Sequence, residues 1–122
     1  MKEQVSATYA RHLSEAGFVT VAFDAAYQGA SGGQPRGVDS PFNRVDDISY
    51  VIDYLNNLPY VDSSKIGALE ICAGGGATIA AAPIEKRIKA AAGVSTFDVG
   101  AAFRAPGPEA VNETLRKIAV QR

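Results

Sequence analysis

The chain holds one cysteine, and its surroundings carry the chemistry most worth following: Glu70-Ile71-Cys72-Ala73-Gly74-Gly75-Gly76. An apolar, strand-like run precedes Cys72, and a glycine turn leads into a small-residue run that reads as a helix. A side chain on such a strand-to-helix turn is held out as a nucleophile, and the next backbone N–H, that of Ala73, faces a developing oxyanion. The start of a helix also favours the thiolate, the reactive form of cysteine. The competing reading is a buried structural cysteine, since free cysteine is among the most buried residue types. Glu70 stands two residues before Cys72, where the G-x-S-x-G pattern has glycine because strand and helix backbones approach closely there. By strand alternation it points to the same side as Cys72, where its charge opposes thiolate formation. A solvated strand-end glutamate is the alternative.

A cysteine nucleophile works with a general base. His12 is the only histidine. It falls near the apolar stripe of the first helix and reads as a packed or partly exposed helix residue rather than as a base. Asp98, in Ser95-Thr96-Phe97-Asp98, follows a predicted strand and can point over the same sheet edge as Cys72; a loop-capping aspartate is its other reading. The glycine turn at 74–76 could instead cradle phosphate, but the Gly-Lys-Ser/Thr of a P-loop and the G-x-G-x-x-G spacing are both absent. Residues 29–36, Gly-Ala-Ser-Gly-Gly-Gln-Pro-Arg, lie where ligands bind a parallel sheet, and read either as one wall of an acyl pocket or as a surface turn. Lys86, Arg87 and Lys89 read as a solvated turn.

The elements that must position these residues alternate. Val5, Tyr9, Leu13 and Ala16 recur at helical spacing before Gly17, which predicts a helix over 3–16 closed by a left-handed cap. Residues 18–23, Phe-Val-Thr-Val-Ala-Phe, predict a strand buried on both faces. The stretch 24–40 predicts one long loop. Ser40-Pro41 and the face formed by Val45, Ile48, Ile52 and Leu55 predict a helix over 41–58 that stops at Pro59. Strands are predicted over 65–71 and 88–94, a helix from the glycine turn to Pro83, and a last helix over 109–120. The expected fold class is α/β: a three-layer α/β/α arrangement with a mostly parallel sheet, in a single domain over 1–122.

With 122 residues and 47% hydrophobic content, one core is within reach. Twelve basic against thirteen acidic side chains, with no basic stripe, argue against a nucleic-acid partner. There is no signal peptide and no run long enough to span a bilayer, so no membrane partner is expected, and the lone thiol suits the reducing cytoplasm. One cysteine excludes an internal disulfide and any multi-cysteine metal site, and no metal or other cofactor is expected.

Four segments in order, 17–24, 27–36, 53–62 and 71–76, together resemble dienelactone-hydrolase-like α/β-hydrolases. The likeness runs from about Lys2 to Gly100 and covers the middle of a family member. It implies an incomplete α/β-hydrolase fold, and hydrolysis of a small ester or lactone by an elbow nucleophile. Carried over, Cys72 matches the nucleophile and the Ala73 N–H one oxyanion donor. The family's histidine lies beyond Arg122, the loop giving the second donor lies before Lys2, and Asp98 is a weak candidate for the acid. The resemblance also places a strand between those matched by 18–23 and 65–71. Without it the two must pair directly, leave a gap or borrow a strand, and an unpaired edge invites self-association.

The expected function is that of a truncated hydrolase-like chain acting on a small acyl substrate. Without an imidazole the thiol loses general-base assistance of about 10² to 10⁴ in rate, so esterase activity should be very weak or absent. The alternatives are a non-catalytic binding or assembly module that uses the open sheet edge, and a nucleotide-binding module on the glycine turn.

Overall fold

Helix α1 (Val5–Glu15) ends as its sequence requires. Gly17 adopts φ +96°, and the N–H groups of Gly17 and Phe18 donate to the carbonyls of Ser14 and Leu13, closing a Schellman motif. These residues belong to a computed structural model that describes residues 1–120.

Helix α2 (Pro41–Asn56) follows the long loop, with Pro41 at its first position and Ser40 before it in extended backbone. Its predicted apolar face supplies the core: Ile48 and Ile52 are buried against Ile66 and Ala81, and Val45, Ala77 and Ile88 pack around them. Strand β1 (Ile66–Ile71), helix α3 (Ala73–Ala81) and strand β2 (Ile88–Val94) form one parallel β-α-β unit. The strands pair from Gly67 with Ala90 to Ile71 with Val94, with a register shift beside Ile66. A short helix, α4 (Val99–Arg104), in a stretch with no predicted element, and a longer one, α5 (Pro108–Val120), complete the described chain.

The fold is thus a mixed helix and strand arrangement, with a two-stranded parallel sheet and five α-helices among the described residues. It is compatible with the α/β class, and a two-stranded sheet is too small to confirm three layers. The expected strand over 18–23 is a correction. The segment forms no strand, and its apolar side chains are exposed rather than buried: Phe18, Val19, Val21 and Phe23 all face solvent in part. The cause is pairing rather than propensity. β-branched and aromatic residues suit a pleated surface, but a strand exists only where its N–H and C=O groups meet a neighbour. Among the described residues, positions 19–23 make no backbone hydrogen bond.

Beyond the core, Arg87 ties the turn before β2 to α2. Its guanidinium grips both oxygens of Glu85 at 2.8 and 2.6 Å and reaches Asp53 at 2.5 Å. These hydrogen bonds hold the Glu85 carboxyl down to about 2, from an ordinary value of 4.5. A depressed carboxyl contributes stability that is complete above its unfolded value and lost as pH falls toward the folded one. Melting temperature should therefore fall between about pH 4.5 and pH 2. Glu85→Gln should melt a few degrees lower than the parent at neutral pH and show a shallower acid loss. Parallel melting-temperature curves for the two proteins by circular dichroism would sink this assignment.

Candidate functional site

Strand β1 ends at Ile71 and α3 begins at Ala73, so Cys72 alone makes the strand-to-helix turn. It does so at φ +59°, ψ −126°, a left-handed conformation that costs a non-glycine residue energy and persists only where its surroundings enforce it. Three hydrogen bonds enforce it here. The Cys72 N–H donates to the Val94 carbonyl at 2.9 Å, extending the sheet pairing by one residue. The Cys72 carbonyl accepts from the N–H groups of Gly75 and Phe97, each at 3.1 Å. The thiol residue is exposed, which removes the buried structural reading of Cys72. As the first residue of α3, Ala73 offers an N–H that the helix leaves without an internal acceptor.

The glycines after Cys72 are there for close approach. A Cβ on Gly75 would lie 2.6 Å from the Thr96 hydroxyl oxygen, so only glycine lets the first turn of α3 lie against the loop after β2. Glu70 explains its neighbour in the same way. Its carboxylate runs along α3 and accepts from the Thr78 N–H at 3.1 Å, and a Cβ on Gly74 would meet the same oxygen at 3.3 Å. Glu70 is therefore neither a solvated strand-end residue nor a free charge beside the thiol. It fills the space between strand and helix that glycine occupies in the usual elbow pattern. Burial pushes its carboxyl above the ordinary range, partly opposed by the neighbouring Thr78 and by Arg44. The adjacent Thr78 hydroxyl is buried with no hydrogen-bond partner in the geometry described.

The other candidates are placed unequally. Asp98 sits one residue after Phe97, whose N–H holds the Cys72 carbonyl, so the loop that carries it is bonded to the strand-to-helix turn. Its side chain is engaged as the N-cap of α4, accepting from the Ala101 N–H at 2.8 Å. His12 lies on the exposed face of α1 with its Nδ1 3.3 Å from Glu15, and makes no bond to the turn at Cys72. The described residues thus bring the Asp98 loop to Cys72 but no imidazole. They contain no group of three His, Cys, Asp or Glu side chains able to hold a metal ion, and no helix long and apolar enough to cross a membrane.

The loop over 24–40 is built rather than loose, and its organiser was missed by sequence reasoning. Asp24, its side chain only 2% exposed, accepts from the Lys2 and Ala30 N–H groups at 2.7 and 2.9 Å and from the Lys2 ammonium at 3.0 Å. The backbone N–H of Ala30, then Lys2, hold its carboxyl far below the usual range. Gly29, at φ +47°, passes so close to Asp24 that a Cβ would collide with the carboxylate. The available signal was an acidic residue ending an apolar run ahead of a glycine-rich loop. Asp47 on α2 pins the same loop by accepting from the Ala26 N–H at 2.8 Å. Ser31 and Gly32 of the loop line an open cleft of about 420 Å³ with Val21, Phe23, Tyr50 and Tyr54, and Cys72 is not on its walls.

No family model matches the chain. It is 55% identical over 104 residues to the uncharacterized protein YcjY of Escherichia coli K12, covering 85% of this chain and 34% of that protein. It is 28% identical over 116 residues to a polyketide transferase of Gibberella fujikuroi, covering 95% of this chain and 35% of the relative. It is 30% identical over 92 residues to a thiohydrolase of Arthrinium phaeospermum, covering 75% of this chain and 30% of the relative. The chain spans about a third of the length of the curated relatives it matches. The likeness to proteins named transferase and thiohydrolase points to a hydrolase-like group.

The Glu70 placement gives a signed prediction. A carboxyl whose value is raised by burial favours the neutral form in the folded state, so its penalty is complete at neutral pH and gone below its ordinary value of 4.5. Glu70→Gln keeps an oxygen to accept the Thr78 N–H and has no charge to bury. It should melt roughly 3–6 °C higher than the parent at neutral pH. The gap should close at mildly acidic pH. A variant that melts lower at neutral pH would show that the charge itself holds α3 in place.

Proposed function

We propose that this chain carries the nucleophile elbow of a dienelactone-hydrolase-like α/β-hydrolase, residues 1–122 forming a single partial domain of it. In this reading Cys72 is in the nucleophile position and the Ala73 N–H is one oxyanion donor. The observation that supports it best is the one-residue turn: an exposed thiol on a left-handed backbone, between a parallel strand and a helix start. Both named relatives fit acyl chemistry, and the thiohydrolase turns the substrate class toward thioesters beside esters and lactones.

In the proposed step, the Cys72 thiolate attacks the acyl carbonyl carbon. The carbonyl oxygen gains the electron pair and faces the Ala73 N–H, and collapse expels the alkoxide or thiolate, which takes a proton from water, leaving the acyl group on sulfur. The second half-reaction needs a base to activate water, and the histidine at hand, His12, is paired with Glu15 on α1. Acylation without efficient turnover is the expected behaviour of the chain alone.

Comparison of two electrophiles tests this reading. Iodoacetamide alkylates a thiolate without forming an oxyanion, whereas p-nitrophenyl acetate forms one. The ratio of acylation to alkylation at Cys72 should exceed that of a free cysteine thiol by about tenfold, a modest share of what one oxyanion donor contributes in a complete site. Ala73→Pro removes the N–H at a helix position that tolerates proline, so it should abolish the excess while leaving alkylation nearly unchanged. A ratio equal to that of free cysteine, unaffected by Ala73→Pro, would overturn the elbow assignment.

A further inference from the structure

The loop after β2 meets the start of α3 through one side chain. Strand β2 ends at Val94, whose carbonyl takes the Cys72 N–H, and Ser95 then turns the chain at φ +49°. Both strands are thus followed by a left-handed residue that is not glycine, Cys72 after β1 and Ser95 after β2. Such strain persists only where neighbours enforce it. Thr96 comes next, and its side chain occupies the room that two other side chains would need. A Cβ on Gly75 would lie 2.6 Å from its Oγ1 and 3.0 Å from its Cγ2, and a Cβ on Gly93 would collide with the same oxygen. Gly75 is buried in the first turn of α3, and Gly93 is the last residue but one of β2. Thr96 is therefore a wedge between the helix start and the strand end.

What the wedge controls follows from its neighbours. Gly75, beside it in space, and Phe97, next to it in the chain, donate the two N–H groups that hold the Cys72 carbonyl, each at 3.1 Å. The Cys72–Ala73 peptide is trans and planar, so its C=O and its N–H point in opposite directions. A carbonyl fixed by two donors on one side therefore fixes the Ala73 N–H on the other. Threonine suits the task, because a β-branched side chain is stiff at χ1 and holds its two outer atoms in place.

We propose that Thr96 is a positioning residue for the Ala73 N–H. By filling the space between Gly75 and Gly93 it sets where the two donors stand, and so the tilt of the Cys72–Ala73 peptide. The role rests on the reading of Ala73 as an oxyanion donor. Thr96 touches no reacting atom in it and moves no proton. Its effect is geometric: a hydrogen bond to an oxyanion weakens steeply as the donor turns away, and a donor contributes only when it is aimed beforehand.

Thr96→Ala removes both outer atoms of the wedge, and Thr96→Ser keeps the oxygen nearest the two glycines. With p-nitrophenyl acetate and iodoacetamide as probes, the excess of acylation over alkylation at Cys72 should fall in Thr96→Ala to within about twofold of free cysteine, and Thr96→Ser should keep most of it. Amide hydrogen exchange of the same proteins, followed by NMR, reads the geometry without the chemistry. The Gly75 and Phe97 N–H groups should exchange at least about fivefold faster in Thr96→Ala, with Ile48 and Ile52 of α2 unchanged. Unaltered exchange at Gly75 and Phe97 overturns the proposal. So does a rise spread equally over α2, which is general destabilisation, or an acylation excess that survives Thr96→Ala. If Thr96→Ala loses its helical circular dichroism, the parent decides: a nuclear Overhauser contact between the Thr96 methyl and the Gly75 α-protons is expected, and its absence overturns the wedge. A parent with no acylation excess sinks the proposed function, while the exchange comparison still decides whether Thr96 holds the Cys72 carbonyl.

Discussion

The structure depends on the closure of the parallel β1–β2 pair at its carboxyl end. The last sheet bond runs from the Cys72 N–H to Val94, and the Cys72 carbonyl is held in turn by Gly75 and Phe97. These bonds leave the chain a single residue in which to change from strand to helix, and the positive φ of Cys72 is the geometric result. The glycines follow from the same closure. Thr96 fills the space beside both Gly75 and Gly93, and a Cβ at either would collide with its hydroxyl oxygen, at 2.6 and 2.1 Å. The strand-to-helix turn is thus made by the loop after β2 as much as by its own residues.

Elements whose stabilising contacts are local, or adjacent in the chain, were legible in the sequence. Helix α1 and its Gly17 cap, α2 with the face containing Ile48 and Ile52, and the run from β1 through α3 to β2 follow from periodicity, proline and glycine. Residues 18–23 were not legible, because their composition states that they suit a strand and is silent on whether a neighbour exists. Helix α4 was hidden for another reason. It is a six-residue helix whose start depends on Asp98 as N-cap, and in a short segment one capping aspartate looks the same as a loop aspartate.

The candidate site divides along the same line. The position of Cys72 was readable from a strand, a turn and a helix in sequence. The orientation of Glu70 was not, since alternation places its side chain on one face of β1 without saying what lies over that face. Helix α3 does, and it converts an apparent obstacle into part of the turn: the carboxylate lies over Gly74 and bonds the Thr78 N–H, so its bulk is accommodated by the glycine two residues after the cysteine. Asp24 escaped notice because its importance lies in three bonds to Lys2 and Ala30, one partner far away in sequence and the other across a tight loop.

Position and reactivity are therefore separate properties of this chain. The turn at Cys72 needs only one strand pair and the helix between its strands, and β1, α3 and β2 supply them within a few dozen residues. A complete acyl-transfer site needs groups from other elements brought to the same sheet edge: a second oxyanion donor, a base and an acid to orient it. Here the loop carrying Asp98 reaches that edge, but its carboxylate is spent on the start of α4, while the imidazole stays on α1 beside Glu15. The stretch shared with this chain is about a third of each relative's length. The same dependence on neighbours governs 19–23, which meet no backbone partner among the described residues.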